Sequence, residues 1–229
     1  MLRTVGAATA VAMIAFLLFG ESLRVCANEN PTFNADLRRL ASEWERVKLQ
    51  IQDSNEQEKQ MALLAGQAAE IIQRYRSQPE AMIWLGIIVG EQASLANRNG
   101  SPLKALNFAK RARDILENVE KIDAVTMEAG APTTLGVLYY RVPAFPIGFG
   151  DTEKARQYLQ EAIKNAPNGL DANVFYGEFL YRQSEYAQAE KILKHALTLP
   201  ALSDRPIWDR SQRIVIRELL AKLQRNVRP

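Results

Sequence analysis

From Asn34 onward, apolar residues recur every three or four positions. Leu37, Leu40, Ala41, Trp44 and Val47 form one stripe, and Met61, Leu64, Ala68, Ile71 and Ile72 form another, the spacing of a helix that buries one face. No segment alternates apolar and polar residues with the period of two that a half-buried strand needs, so the pattern predicts helices and no sheet. Stop signals are frequent: Pro79, Asn97-Arg98-Asn99-Gly100, Pro102, Pro167-Asn168-Gly169 and Pro200 cut the chain into short helical pieces.

Comparing the chain with itself tells more than any single helix. DTEKARQYLQEAIKNAP and EYAQAEKILKHALTLP share Ala155 with Ala189, Leu159 with Leu193 and Ala162 with Ala196, each pair 34 positions apart. An earlier copy, SPLKALNFAKRARDIL, supplies Ala105, Ala109 and Ala112. Upstream of each copy stands a helix with a glycine: Leu85-Gly86, Leu135-Gly136 and Tyr176-Gly177. Small residues on one face let a second helix approach closely.

This pattern resembles the tetratricopeptide repeat family, in which Leu-Gly-x-x-Tyr on one helix is followed by Ala-x-x-x-Phe on the next and then by Pro. Leu135-Gly136-x-x-Tyr139, Ala155-x-x-x-Leu159 and Pro167 follow it best, and Tyr176-Gly177-x-x-Leu180, Ala189-x-x-x-Leu193 and Pro200 come next. Leu85-Gly86-x-x-Val89 with Ala105-x-x-x-Ala109 is a third copy, and none of the three keeps the aromatic on the second helix. The resemblance implies an all-α helical-hairpin solenoid of three to four repeats over residues 28–229, the best at 79–112, 129–167 and 170–200. The segment 34–77 reads as a degenerate hairpin. A last helix at 205–225 reads as a cap, with Ile207, Trp208, Ile214, Leu219, Leu220 and Leu223 covering the exposed end.

Two repeats are longer than the family spacing. Gly177 and Ala189 are 12 positions apart, but Gly86 to Ala105 and Gly136 to Ala155 are each 19. The first expansion, around Gln92 to Pro102, is polar and reads as a helix extension ending in a solvated turn. The second, RVPAFPIGFG, is apolar and proline-rich, so it needs cover from water or a partner that provides it. Folding back onto the repeats and forming a lip of Phe145, Ile147 and Phe149 over a groove are both open to it.

In such arrays the first helix of each pair lines the concave face, so the resemblance places Tyr140, Arg141, Asp171, Val174, Glu178, Tyr181 and Arg182 on a partner-binding surface, with Val137, Ile83 and Ile87. A Tyr-Arg pair recurs at the same place in two adjacent repeats. Tyrosine offers apolar area with a polar tip, and arginine grips a carboxylate with two bonds. Trp84, Thr134 and Phe175 occupy the inner position where modules that grip a chaperone's C-terminal carboxylate carry asparagine, so that activity is not expected.

The N-terminus stands apart. MLRTVGAATAVAMIAFLLFG has Arg3 before an apolar run, and Val25-Cys26-Ala27 closes it as a small-residue cleavage site, which makes residues 1–27 a signal peptide. An uncleaved anchor and a lipidated Cys26 are the alternatives, and they are the only membrane contacts the sequence suggests. Cleavage would remove the one cysteine, leaving no disulfide to help stability.

A formal net charge of +3, from 29 Lys+Arg against 26 Asp+Glu, gives no case for nucleic acid. Catalysis has few candidates. The one histidine, His195, lies beside Lys191 and Lys194 on a charged face, Gly148-Phe149-Gly150 lacks the Lys-Ser/Thr of a phosphate loop, and no His or Cys cluster has metal spacing. No enzyme activity and no cofactor are expected. The chain reads as an exported scaffold of a bacterial envelope, in the periplasm, that binds another envelope protein or a peptide segment. A more distant resemblance, to the T component of tripartite ATP-independent transporter systems, implies instead an accessory to uptake that carries a small apolar ligand.

Overall fold

The structure, a computed structural model, describes residues 30–76 and 78–227; the expected leader and its cleavage site lie outside the described residues. Within them the chain runs as α1 (Pro31–Gln50), α2 (Ser54–Arg74), α3 (Pro79–Arg98), α4 (Pro102–Glu120), α5 (Thr126–Arg141), α6 (Thr152–Asn165), α7 (Leu170–Arg182), α8 (Tyr186–Thr198) and α9 (Pro206–Val227). No strand forms among the described residues, and the β-type contact there is an isolated bridge between Ala144 and Gly150. Four helical hairpins, α1–α2 to α7–α8, stack in order, and α9 packs on α7 and α8. The fold is an all-α tetratricopeptide-like solenoid with a C-terminal helix.

Local chemistry sets the helix starts. Pro79 and Pro102 open α3 and α4, where a missing N–H costs no helix bond. Asp53 caps α2 by accepting from the Glu56 N–H at 2.7 Å, and Asp151 caps α6 through the N–H groups of Glu153 and Lys154, both at 3.0 Å. Helix α5 starts differently. Met127, Glu128 and Ala129 have φ of 55°, 52° and 60°, three consecutive left-handed residues that each cost about 1–2 kcal/mol. The Asp123 carboxylate steadies the entry by accepting from the Val125 and Thr126 N–H groups. Pro132 then falls in the first turn of the regular helix, where it breaks nothing.

The alanine columns do what their spacing predicts. Ala105, Ala109 and Ala112 on α4, Ala155 and Ala162 on α6, and Ala189 and Ala196 on α8 are all buried. One contact repeats across the hairpins. A Cβ built on Gly86 would stand 2.6 Å from Leu116, on Gly136 2.5 Å from Leu159, and on Gly177 2.5 Å from Leu193.

The cap needs correction. Trp208, Gln212, Ile216, Leu219 and Leu223 form its buried stripe, at helical spacing. Ile207 and Ile214, expected to cover the end, lie together on the face away from that stripe and stand 45% and 49% exposed. The first expansion is the helix extension expected, ending in a turn, although part of it is buried. Gln92, Ala93, Leu95 and Ala96 are buried within α3, and only the turn at Asn99 and Gly100 leaves the helix.

Because the Leu159 branch point, and not only its flexible tip, occupies the space beside Gly136, Gly136→Val should cost about 1–3 kcal/mol by overpacking. Urea denaturation followed by far-UV circular dichroism would measure it, and an unchanged midpoint would mean that the hairpin is not held by this contact.

Candidate functional site: the concave groove

Helices α1, α3, α5 and α7, with the first half of α4, the segment after α5 and the entry to α9, wall a groove of about 790 Å³. Its register can be followed through equivalent positions in successive hairpins. Trp84, Thr134 and Phe175 line it, as do Ile87 and Val137 one turn later. One residue before the first of these positions stand Ile83, Thr133 and Val174, which are 0%, 3% and 1% exposed. Ile83 and Val174, expected on the inner surface, are therefore core residues. A step of one residue turns a side chain by about 100°, which takes Ile83 and Val174 into the layer between hairpins, while Thr133 still reaches the groove wall.

The three tryptophans of the chain meet at one end of the groove. Trp44 of α1 lies 5.7 Å from Trp84 of α3 and 4.9 Å from Trp208 of α9, ring centre to ring centre. The Arg205 guanidinium sits between Trp84 and Trp208, at 5.3 Å and 5.2 Å from their centres. Its Nε donates to Glu45 at 2.8 Å, and Asp171 lies 3.6 Å from it. Asp171 in turn accepts the Trp208 indole N–H at 2.7 Å. Burial in the groove pushes the Asp171 carboxyl up, against the pull of Arg205 and Trp208. This junction ties the first hairpin to the last helix, and Arg205 is an interaction hub that the sequence reading missed.

The Tyr-Arg pairs converge on one carboxylate. The Tyr140 hydroxyl donates to Glu178 at 3.0 Å, Arg141 at 2.6 Å, and Arg182 at 2.9 and 3.0 Å. Burial raises the Glu178 carboxyl, but Arg141 and Arg182 outweigh it and hold the group below its ordinary value. Arg141 also stacks over Phe175 at 5.7 Å and lines the groove. Tyr181 packs against Tyr186 at 5.8 Å, ring centre to ring centre.

The proline-rich segment does two things at once. Phe149 packs on Tyr139 at 5.4 Å and under Arg113 at 4.6 Å, so it anchors the loop and is not a lip residue. Tyr139, held by Glu117 at 2.7 Å, stacks on Tyr158 as well. Gly150 is required by close approach: a Cβ there would lie 1.9 Å from the Val142 carbonyl oxygen. Val142, Pro143 and Ile147 face the groove. Phe145, 88% exposed, does not line it.

Comparison with known proteins agrees with this geometry. Residues 147–199 match the tetratricopeptide repeat family. The fold is similar to the crystal structure of a thermophilic tetratricopeptide-repeat protein from Thermus thermophilus, with a TM-score of 0.55 and 18% identity over 85% of this chain and 82% of that one. No curated protein matches the chain.

Glu45 is 5% exposed, so removing its partner strands a buried charge. Arg205→Ala is expected to destabilise the fold by about 3 kcal/mol. Arg205→Lys should recover only part of that, since an ammonium cannot stack between two indoles and reach both carboxylates. Denaturation read by tryptophan fluorescence reports directly on the junction, and wild-type stability in Arg205→Ala would contradict its role.

Proposed function

We propose that this chain is an exported binding protein of the bacterial envelope, and that its concave groove holds a segment of a partner protein. The observation that carries the reading is the groove itself: an apolar trough walled by helices from every repeat, with the buried Trp44 indole N–H and Thr133 hydroxyl unpartnered along it. Asn97 lines it without a side-chain hydrogen bond among the described residues, and a carboxamide offers the donor and acceptor that a peptide unit needs. Ile147 and Leu103, 71% and 79% exposed at the rim, are apolar area that a partner would cover. Export rests on the leader-like residues 1–27. Among the described residues no helix is long and apolar enough to cross a membrane.

A volume of about 790 Å³ also lies within the range of small-molecule sites. This favours, as the second reading, an accessory protein carrying a small apolar ligand, linked to a tripartite ATP-independent type of transporter.

Native mass spectrometry of the protein released gently from its own cell envelope separates the two. A second chain in the complex, lost in Ile87→Glu while the circular dichroism and melting temperature stay unchanged, is the expected result. A small extra mass lost in the same variant would replace the partner reading with the carrier reading. A bare chain beginning elsewhere than Asn28 would count against both the groove's role and the export signal.

A further inference from the structure

The groove is charged unevenly. At its α9 end Glu128, Asp171 and Asp204 line the wall with Arg205, whose Nε is already held by Glu45, while Lys48, over the Trp44 ring at 5.3 Å, is taken up by Glu91. Glu128 and Asp204 have no ion-pair or hydrogen-bond partner among the described residues. Burial, and then the charges of Asp171 and Asp204, push the Glu128 carboxyl up, and Arg205 only partly offsets them. In a chain of net positive charge, this corner lacks a cation. Two further groove-lining residues hold unused polar atoms: Thr133, 3% exposed, has an unpartnered hydroxyl, and Trp44, 4% exposed, an unpartnered indole N–H.

The other end carries an apolar rim beside Arg141, whose charge is taken up by Glu178. Leu103, Val142, Pro143 and Ile147 form the rim there. Helix α5 runs between the two ends, with Glu128 at its start and Arg141 at its finish. The regular stretch from Gly130 to Arg141 spans roughly 17 Å at 1.5 Å per residue. An extended chain covers that distance in about five residues. A small cation would answer the acidic corner and leave the rim bare, and a small apolar molecule would do the reverse. A chain segment answers both.

We infer that the groove takes an extended segment of the partner protein carrying a lysine or arginine for the Glu128–Asp171–Asp204 corner and, about five residues away, a large aliphatic or aromatic side chain for the Leu103–Ile147 rim. This rests on the reading that the groove holds a partner segment, and it adds what that segment must look like. The basic side chain enters beside Glu128 and Asp204, the two carboxylates that the fold leaves unpaired, and Arg205 stays in its place between the indoles.

A phage-displayed library of random peptides selected on the immobilised full mature chain tests this. The expected enrichment is Lys or Arg with Leu, Ile or Phe at that separation. A synthetic peptide from the enriched pool should bind wild type and lose about tenfold affinity, near the value of one charge-assisted hydrogen bond, in Glu128→Gln combined with Asp204→Asn. The peptide with its basic residue changed to alanine should bind wild type equally weakly and be indifferent to the double variant. That arm needs no altered protein, so poor folding of the variant would not blunt the test. Enrichment of acidic or uncharged peptides would overturn the charge assignment and leave the peptide groove standing. No enrichment over bare support would overturn both.

Discussion

A close approach between one glycine and one leucine sets the geometry of every well-formed hairpin. Gly86 with Leu116, Gly136 with Leu159, and Gly177 with Leu193 occupy equivalent places, so the two helices of each pair meet with the same faces. That common face fixes which residues of α3, α5 and α7 turn outward into the groove. Rotating any first helix by one residue would exchange Trp84, Thr134 and Phe175 for Ile83, Thr133 and Val174. The groove would then lose the Trp84 and Phe175 rings to Ile83 and Val174, and the aromatic junction and the carboxylates around it would have no shared wall. The lining of the groove is thus a consequence of packing on the opposite side of the helices.

Charge along α5 and α7 follows the helix dipoles. Glu128 and Asp171 stand in the first turns of α5 and α7, and Arg141 and Arg182 in their last turns. The unpaired N–H groups at a helix start favour anions, and the carbonyls at its end favour cations, by about 0.3–1 kcal/mol each. Backbone dipoles therefore help to tolerate an acidic pole with one arginine and an arginine pole with one glutamate. A buried ion pair adds little net stability over a hydrophobic substitute. What Arg205 adds is connection, because it joins α1, α3, α7 and α9 through contacts that no neighbouring hairpins make.

Much of this was legible in the sequence, because repeats write their packing locally. Alanines at a spacing of seven and glycines at one helical position need only a short window to recognise, and the helices follow from them. The same register placed Trp84, Thr134 and Phe175 at the inner position and Ile87 and Val137 beside them. It misplaced Ile83 and Val174 because an array of large apolar residues leaves a one-residue rotation undetermined by composition. The tryptophan junction was not legible. Residues 44, 84, 171, 205 and 208 share no local pattern, and their meeting depends on how far the whole array curls. Nor does Met127-Glu128-Ala129 contain the glycine that usually marks a left-handed turn. That the backbone accepts three such residues at the edge of the groove is tertiary override of local preference.

The two expansions noticed in the sequence acquire a common meaning in three dimensions. Both follow the first helix of their repeat, so both build the same end of the groove, by different means. In the first, α3 simply continues to Arg98 and adds Ser94 and Asn97 to the wall. In the second, the chain leaves α5, pins Phe149 behind Tyr139, and returns Ile147 to the rim. The α7–α8 turn has no expansion, and α7 lines the groove only as far as Phe175. Depth is therefore concentrated between α3 and α5, opposite the acidic corner along the axis of α5. A standard array would offer a shallow, uniform face. Here the departures from standard spacing make a trough with two unlike ends, and unlike ends impose a direction on whatever chain lies in it.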